Sequence, residues 1–243
     1  KGCKRECPTG VDMARMKIEF LDHYHQRHGI GFRERLFAYL PRYAGSLRAF
    51  GFLLNLRDQV PGFAKISEWL FGLSSRRRLP KWRTDHFKFH AEDTLSSAGG
   101  KEVVLLVDTF NGCFESENAT AALDVLKAAG YRVHCPRPLD GGRSLCCGRT
   151  FLSNGMVDEA KVEVLRTMEA LKPYVGRGVP IVGIEPSCLL TFRDEYLVLF
   201  PGEESEQLAQ NSFMLEEFLA NELDNGCLDL NLQALTTKRA LLH

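Results

Sequence analysis

The sequence predicts an α/β fold in which a Rossmann-like, mainly parallel sheet follows a helical region. Three observations lead to this prediction: a helical, aromatic-rich first third, a continuous apolar run at Val103–Val107, and a strand–helix–strand order after that run. An apolar run of strand length without alternation is typical of a sheet that is covered on both faces. A chain of 243 residues is long enough for one large domain or two small ones.

The first third of the chain is predicted to be helical. Val11–Arg27 carries apolar residues at helical spacing and is followed by Gly29, a common helix end. Two more amphipathic segments, Gly31–Leu56 and Gly62–Leu73, come next. Because Pro41 lacks a backbone N–H, we expect it to kink or split the first of these two segments.

A basic stretch and a small, polar stretch follow the predicted helices. Ser74–Arg83 reads SSRRRLPKWR, and Ala91–Gly100 is small and polar, so we place a boundary between two regions there. Two interpretations of Arg76–Arg78 stay open. The three arginines form either a solvated loop or a docking surface for an acidic partner or another domain.

The predicted elements after Lys101 alternate between strand and helix, as in an α/β unit with a parallel sheet. Val103–Val107 is the first predicted strand, and Gly130 ends the helix that follows it. The other elements are predicted, in chain order, as helix Ser116–Ala129, strand Tyr131–Cys135, helix Val157–Tyr174, strand Val179–Ile184 and helices at Cys188–Tyr196 and Phe213–Leu223.

The bulk composition excludes several function classes. The formal net charge is zero and the sequence pI is about 7.2, so no global charge points to nucleic acid or to an anionic membrane. No apolar run approaches the roughly 18 residues of a transmembrane helix, and no signal peptide is visible. We therefore expect a protein without a transmembrane segment in a reducing compartment, either cytoplasmic or peripheral at the inner membrane.

Eight cysteines are the most informative feature of the composition. They are too sparse for a disulfide scaffold, and a chain of this length does not need one. The remaining uses are a metal site, a redox cluster, a catalytic thiol or core packing. Adjacent cysteines such as Cys146 and Cys147 seldom bond to each other, because the ring would strain the peptide between them.

Four of the cysteines follow the ends of predicted strands. Cys113 follows the first strand, the pair Cys146 and Cys147 follows the second, and Cys188 follows the third. Because the carboxyl ends of parallel strands lie at one edge of a sheet, we expect these four thiols to converge. The doublet then places two sulfurs at one point of a four-cysteine site.

Four converging thiolates suit zinc or an iron–sulfur cluster. The spacing lacks the paired C-x2-C motifs of a zinc ribbon, and Gly112 and Gly148 allow the close backbone approach that a cluster needs. The alternative is that the cysteines are buried packing residues. Packing is the preferred interpretation for Cys135 and Cys227.

A second cysteine motif lies at the start of the sequence. Cys3 and Cys7 form C-x3-C-P, the closing half of the bacterial ferredoxin run C-x2-C-x2-C-x3-C-P. Two cysteines do not hold a cubane cluster, so this motif is incomplete here. We expect the ends of this sequence to cut through longer redox motifs.

The cysteine pattern of this chain resembles the cysteine-rich CCG domain. That domain occurs in heterodisulfide reductase, in the iron–sulfur subunits of glycolate oxidase and anaerobic glycerol-3-phosphate dehydrogenase, and in lactate-utilisation proteins. LCCGRTFLSNGMVDEAK and GIEPSCLLTFRDEY resemble the first CCG repeat, and CKRECPTGVDMARMKIEFL resembles the exit from a ferredoxin-like helical module. The chain is most similar to the C-terminal portion of fused FAD-linked oxidases of the D-lactate, D-2-hydroxyglutarate or glycolate dehydrogenase type.

The resemblance implies two regions and two metal sites. Residues 1–90 correspond to the tail of a ferredoxin-type 4Fe–4S module with linker helices. Residues 101–243 correspond to a CCG α/β domain whose second repeat is truncated at ALLH. The implied ligands of a 4Fe–4S-type cluster are Cys113, Cys146, Cys147 and Cys188, and those of the incomplete ferredoxin-type site are Cys3 and Cys7.

The resemblance also implies a function, the electron-transfer portion of an FAD-linked 2-hydroxy-acid dehydrogenase. Electrons pass from a separate flavin domain to a quinone or another acceptor. FAD is expected only in that missing domain, because no G-x-G-x-x-G follows Val103–Val107. The fragment is then part of an oxidoreductase without its catalytic flavin site, and nucleic acid is not an expected partner.

Two other functions stay open on the residues alone. One is a zinc-binding or thiol-only interaction module without a redox role, since Cys188 is followed by Leu-Leu-Thr instead of the usual C-x2-C. The other is a catalyst in which Cys146 or Cys147 is the nucleophile, although no histidine lies next to them. Arg143 and Arg149 flank the doublet and either lower the pKa of its thiols or are solvated.

Overall fold

The computed structural model of the protein describes residues 6–90, 100–228 and 230. Cys3 and the final residues ALLH, where the truncated second repeat is predicted, lie outside this part of the chain. In the described part, no helix is both long enough and apolar enough to pass through a membrane.

Parallel strands form one sheet, which confirms the predicted α/β fold. The strands in the described residues are β1 (Glu102–Leu106), β2 (Arg132–His134), β3 (Ile181–Gly183) and β4 (Ser212–Met214). Their order is β2-β1-β3-β4, and all three pairings are parallel. β1 is central, because Val104 pairs with His134 on one side and with Ile181 on the other.

Helices precede the sheet and connect its strands. Those before the sheet are α1 (Met13–His28), α2 (Phe32–Ala38), α3 (Leu40–Leu47), α4 (Gly51–Gln59) and α5 (Phe63–Phe71), with a 3-10 turn at Arg48–Phe50. Those within and after the sheet are α6 (Thr109–Cys113), α7 (Ser116–Ala128), α8 (Arg149–Ser153), α9 (Val157–Val175), α10 (Pro186–Arg193), α11 (Glu195–Leu199), α12 (Glu203–Gln210) and α13 (Leu215–Asp224).

Most predicted elements are confirmed, and two need correction. The predicted segment Gly31–Leu56 is split, and Pro41 lies in the first turn of α3, where its missing N–H breaks no intrahelical bond.

The predicted helix Phe213–Leu223 is wrong at its start. Phe213 belongs to β4 and pairs with Val182, because the edge of β3 offers hydrogen-bonding partners that a local pattern does not reveal. The predicted helix Cys188–Tyr196 begins earlier, at Pro186, and is interrupted at Asp194.

β1 separates two hydrophobic cores. Val104 and Leu106 pack with side chains of α9 and α10 on one face, and Val103 and Leu105 pack with α7 and α13 on the other. All four side chains are buried. Burial of each contributes about 1.5–3 kcal/mol to folding. The continuous apolar run in the sequence therefore reflects a strand covered on both faces.

The helical region packs against α8 and α9 of the α/β region. The guanidinium group of Arg42 lies over the rings of Tyr39 and Phe151, 5.0 and 4.6 Å from their centroids. The hydroxyl of Thr150 donates to the carbonyl oxygen of Ala38 at 2.9 Å. These contacts fix the helical region over the carboxyl edge of the sheet, where the predicted cysteine site lies.

Candidate functional site

The strand order places a crevice at the carboxyl ends of β1 and β3. The chain leaves β1 toward β2 on one side and later returns to β3 on the other side. In open α/β sheets, ligands bind at such a switch point, because the flanking connections diverge there.

Two carboxylates at this crevice cap the helices that follow the strands. Asp108 accepts hydrogen bonds from the backbone N–H of Phe110 at 2.8 Å and of Asn111 at 3.1 Å. Burial raises the pKa of Asp108, and the hydrogen bonds from Asn111 oppose this shift. Glu185 accepts from the backbone N–H and the hydroxyl of Ser187. Both carboxylates act as N-caps and position α6 and α10.

The backbone of the cysteine doublet is held by two buried hydroxyl groups. Thr167 donates to the carbonyl oxygen of Cys146 at 2.8 Å, and Tyr196 donates to that of Cys147 at 3.2 Å. Gly148 follows with φ of +81°, and a Cβ there would lie 3.1 Å from a backbone oxygen of α9. Glycine is therefore required at this turn for both conformation and space.

Three of the four predicted ligands come together. The thiols of Cys146, Cys147 and Cys188 line one cavity, and Cys188 packs against the hydrophobic cluster that contains Cys147. Cys146 and Cys147 are buried, and Cys188 is half-buried in the first turn of α10. The backbone N–H of Gly148 also points at the sulfur of Cys146, 3.4 Å away. Cys188 lies 41 residues after Cys147 in the chain, yet both are at the same edge of the sheet.

The environment of these thiols favours their protonated form. Hydrogen bonding to Cys147 and burial raise the pKa of Cys146 well above its usual value. Hydrogen bonding to Cys146 lowers the pKa of Cys147. Hydrogen bonding to Cys188 and burial raise it by more, so the pKa of Cys147 is also above its usual value. The bond with Cys147 lowers the pKa of Cys188, whereas burial raises it above its usual value overall. Such neutral thiols do not favour the nucleophilic catalyst considered above.

Cys113 is not part of this contact group. It is the last residue of α6, half-buried, and burial raises the pKa of its thiol while the charge of Arg48 opposes the shift. Its neighbours Phe110 and Phe114 line the cavity described below, whereas Cys113 does not.

The remaining cysteines lie elsewhere. Cys7 lies on an exposed turn, and a hydrogen bond with the hydroxyl of Thr9, 3.1 Å away, lowers the pKa of its thiol. Cys135 packs against the core between the sheet and α7, in agreement with a packing role. The same interpretation is wrong for Cys227, which is exposed after α13.

The two arginines that flank the doublet are engaged in ion pairs. Arg143 pairs with Glu163, a fully buried carboxylate on α9, and Arg149 pairs with Glu195. Arg42 of the helical region also donates to Glu163, at 2.8 Å. Each guanidinium thus neutralises a carboxylate and holds the loop in place. The expectation that Arg143 and Arg149 lower the pKa of the thiols is not met.

An apolar cavity of about 980 Å³ opens above the thiols. The residues that line it at the strand ends and the doublet include Leu106, Leu145 and the three thiols. Its walls come from the helical region, with Leu40, Leu54 and Ile66 among the lining side chains. A cavity of this volume accommodates a small organic molecule or a metal cluster.

The donor chemistry of the site agrees in part with an iron–sulfur cluster. Two buried thiols, a half-buried third thiol and a backbone N–H directed at one sulfur are features of cluster sites. Among residues 6–90, 100–228 and 230, however, no three His, Cys, Asp or Glu side chains are grouped around a metal-ion position. Three thiols thus line one cavity, and Cys113 is not among its lining residues.

Sequence reasoning missed the residues that position the doublet and build the cavity. Thr167 and Tyr196 lie in helices that pack behind the loop, and nothing in their local sequence marks them. The lining residues of α4 and α5 lie more than 70 residues before the doublet, so no local signal connects them to it. Asp108 and Glu185 were detectable, because each directly follows a strand end and precedes a helix.

No family model matches the chain, and no solved structure is significantly similar to it. Curated proteins that are similar to the chain are dehydrogenases and a lactate utilization protein, and this similarity supports a redox-related role. They include D-2-hydroxyglutarate dehydrogenase of Escherichia coli, 26% identical over 240 residues, and one subunit of the anaerobic glycerol-3-phosphate dehydrogenase of the same species, 23% identical over 180 residues. Lactate utilization protein A of Bacillus velezensis is 28% identical over 147 residues.

The chain corresponds to only part of each relative. The three alignments cover 93%, 72% and 58% of this chain, but 22%, 43% and 56% of the respective relatives. The activity of a whole relative therefore involves much sequence that this chain does not include.

Proposed function

We propose that this chain is the electron-transfer portion of an FAD-linked 2-hydroxy-acid dehydrogenase. One observation carries the proposal: Cys146, Cys147 and Cys188 line one apolar cavity at the carboxyl edge of a parallel sheet. The similarity to dehydrogenases supports it. Electrons arrive from a flavin domain and leave to a quinone or another acceptor.

The ligands of the proposed 4Fe–4S-type cluster are Cys146, Cys147, Cys188 and Cys113. When bound, the cluster supplies a one-electron relay. The chain supplies the rest: burial keeps water from the sulfurs, the N–H of Gly148 stabilises charge on Cys146, and Thr167 fixes the backbone of the doublet. Hydrogen bonds and burial of this kind set the potential of a bound centre.

The two proposed regions have separate tasks. Residues 1–90 are the tail of a ferredoxin-type module with linker helices, and Cys3 and Cys7 belong to its incomplete cluster site. Residues 101–243 are the CCG domain. The partners are the flavin domain and an acceptor, and a quinone acceptor would bring the protein to the inner membrane as a peripheral component.

Anaerobic reconstitution with iron and sulfide tests the proposal. We expect visible absorption and an EPR signal after reduction, together with iron and acid-labile sulfide in the purified chain. Cys146→Ser and Cys188→Ser should abolish the signal, because each removes a ligand. Cys227→Ser is the matched control, since Cys227 is exposed and remote from the sheet edge, and it should leave the signal unchanged.

Metal content separates this proposal from the interaction module. Stoichiometric zinc without sulfide, or an unchanged signal in Cys146→Ser, would contradict the ligand assignment. Far-UV circular dichroism of each variant shows whether the fold is retained.

A further inference from the structure

The outer face of α4 and α5 exposes large apolar side chains. Trp69 is 83% exposed and Phe52 is 68% exposed. The face also includes Leu53, Phe63, Ile66 and Leu70, all of them exposed. Soluble proteins rarely expose a contiguous apolar surface of this kind unless something binds to it.

A basic turn is anchored beside this apolar face. The buried guanidinium of Arg57 donates to the backbone carbonyl oxygens of Ser74 at 2.7 Å and of Leu73 at 3.2 Å. Asp58, which pairs with Arg57, accepts from the backbone N–H of Leu79 at 2.9 Å. The turn that carries Arg76–Arg78 is thus fixed to α4, next to the end of α5.

The charge of the turn is mostly uncompensated. Arg76, Arg77 and Arg78 are all exposed, and within the described residues neither Arg77 nor Arg78 forms an ion pair. Two carboxylates lie beside the turn: Asp58 pairs with Arg57, and hydrogen bonds with Ser75 and the charge of Arg76 lower the pKa of Glu68. The surface therefore combines a cationic edge with an aromatic and aliphatic face.

The apolar cavity opens on this same face. Leu53, Ile66 and Leu70 are exposed and also line the cavity, whose opposite end contains the clustered thiols. These exposed side chains and the doublet therefore line one and the same cavity.

We propose that α4, α5 and the basic turn Ser74–Lys81 form a docking surface for an anionic phospholipid bilayer. Amphipathic helices bind bilayers with their apolar face in the acyl boundary, and tryptophan is favoured at that depth. Arginines at the edge of such a face pair with anionic headgroups. A bilayer offers anionic charge next to apolar volume, which matches both parts of this surface. The inference rests on the proposed function, since it states how an apolar acceptor reaches the cavity.

Vesicle flotation with the full chain tests the proposal. We expect binding to vesicles of phosphatidylcholine mixed with phosphatidylglycerol, and weak binding to phosphatidylcholine alone. Replacing Arg76, Arg77 and Arg78 together by glutamine should weaken binding to the anionic vesicles about a hundredfold, because each basic residue near such a surface contributes about fivefold. Trp69→Ser should weaken it about tenfold, because it removes apolar area from the lipid.

Matched variants control for net charge and for apolar loss. The first control replaces three basic residues of α9 and its end by glutamine and so removes the same charge; they are Lys161, Lys172 and Arg177. The second control, Leu223→Ser, removes an exposed apolar side chain of α13. Both should bind as the wild type does. Equal binding by the triple arginine variant, or no binding of the wild type to anionic vesicles, would overturn the proposal.

Two further outcomes separate the competing explanations. Self-association that Trp69→Ser abolishes, without vesicle binding, would assign the face to a second copy of the chain and overturn the bilayer proposal. Cys146→Ser should bind vesicles as the wild type does. If the reconstituted wild-type chain shows the iron–sulfur signal but does not bind anionic vesicles, the docking surface is refuted and the proposed function still stands.

Discussion

At the scale of residues, the cysteines divide into two chemical kinds. Cys146 and Cys147 are buried, and their pKa values are raised. Cys7 is half-buried, and the hydrogen bond with Thr9 lowers its pKa. A raised pKa keeps the proton on sulfur, so binding of a metal at the doublet must release protons and should strengthen as the pH rises.

Alkylation kinetics test this difference in the reduced, metal-free chain. At pH 8 we expect iodoacetamide to modify Cys7 about tenfold faster than Cys146 or more, because the thiolate is the nucleophile and is the rarer form at Cys146. With rising pH, the rate at Cys7 should reach half of its maximum below pH 9.0, the usual pKa of a thiol. The rate at Cys146 should still be rising there. Peptide mass spectrometry gives both rates, and equal rates with one pH profile would refute the assigned environments.

At the scale of elements, a glycine sets how α1 docks against the α/β region. Gly155, between α8 and α9, has φ of +67°. A Cβ at this position would lie 2.4 Å from the Cβ of Leu21 and 2.8 Å from the backbone nitrogen of Asp22. No side chain fits between α1 and this turn, so the close approach of the two regions depends on glycine.

Gly155→Ala should destabilise the protein by more than about 2 kcal/mol, because it adds a steric clash to the cost of a left-handed backbone. Gly130→Ala is the matched control. Gly130 has φ of +81°, and no atom lies within 4 Å of the place that a Cβ would take, so only the backbone cost of about 1–2 kcal/mol applies. Urea unfolding measures both. Equal losses would show that α1 does not pack at Gly155.

At the scale of the whole molecule, the cavity joins the helical region to the thiols. Trp82 lines it and makes an edge contact with Phe114, with ring centroids 5.0 Å apart. The only other tryptophan is Trp69, on the exposed face. Fluorescence of Trp82 therefore reports on what the cavity contains, once Trp69 is replaced.

In a Trp69→Phe background, a quinone with an alkyl tail should quench Trp82 fluorescence saturably. The apolar walls favour the tail, so the same quinone ring without a tail should bind at least about tenfold more weakly. Fluorescence titration gives both affinities. Linear quenching without saturation, equal for the two quinones, would indicate collision and not a bound acceptor.

The fold could largely be predicted, because its signals are local. Val103–Val107 is continuously apolar, since β1 is covered on both faces, and the α7 and α9 patterns have helical spacing and clear ends. β4 was not predicted. Phe213 and Met214, the first two residues of the predicted helix, belong to a strand, because β3 offers them a hydrogen-bonding edge.

The site could be predicted only in part. Its cysteines follow strand ends, which is visible in the chain, and three of them meet in the structure. The separate position of Cys113 depends on where α6 ends, and the expected effect of Arg143 and Arg149 fails because Glu163 and Glu195 engage them. Both facts come from partners that are distant in sequence.

The sequence by itself determined the strand–helix order, the chemistry of the thiols and their place after the strands, because these depend on residue type and short-range periodicity. Only the tertiary structure decided which thiols touch, that their environment keeps them protonated, and that helices α4 and α5 build an apolar cavity above them. Burial and contact between remote segments arise when the chain packs, and a linear pattern does not contain them.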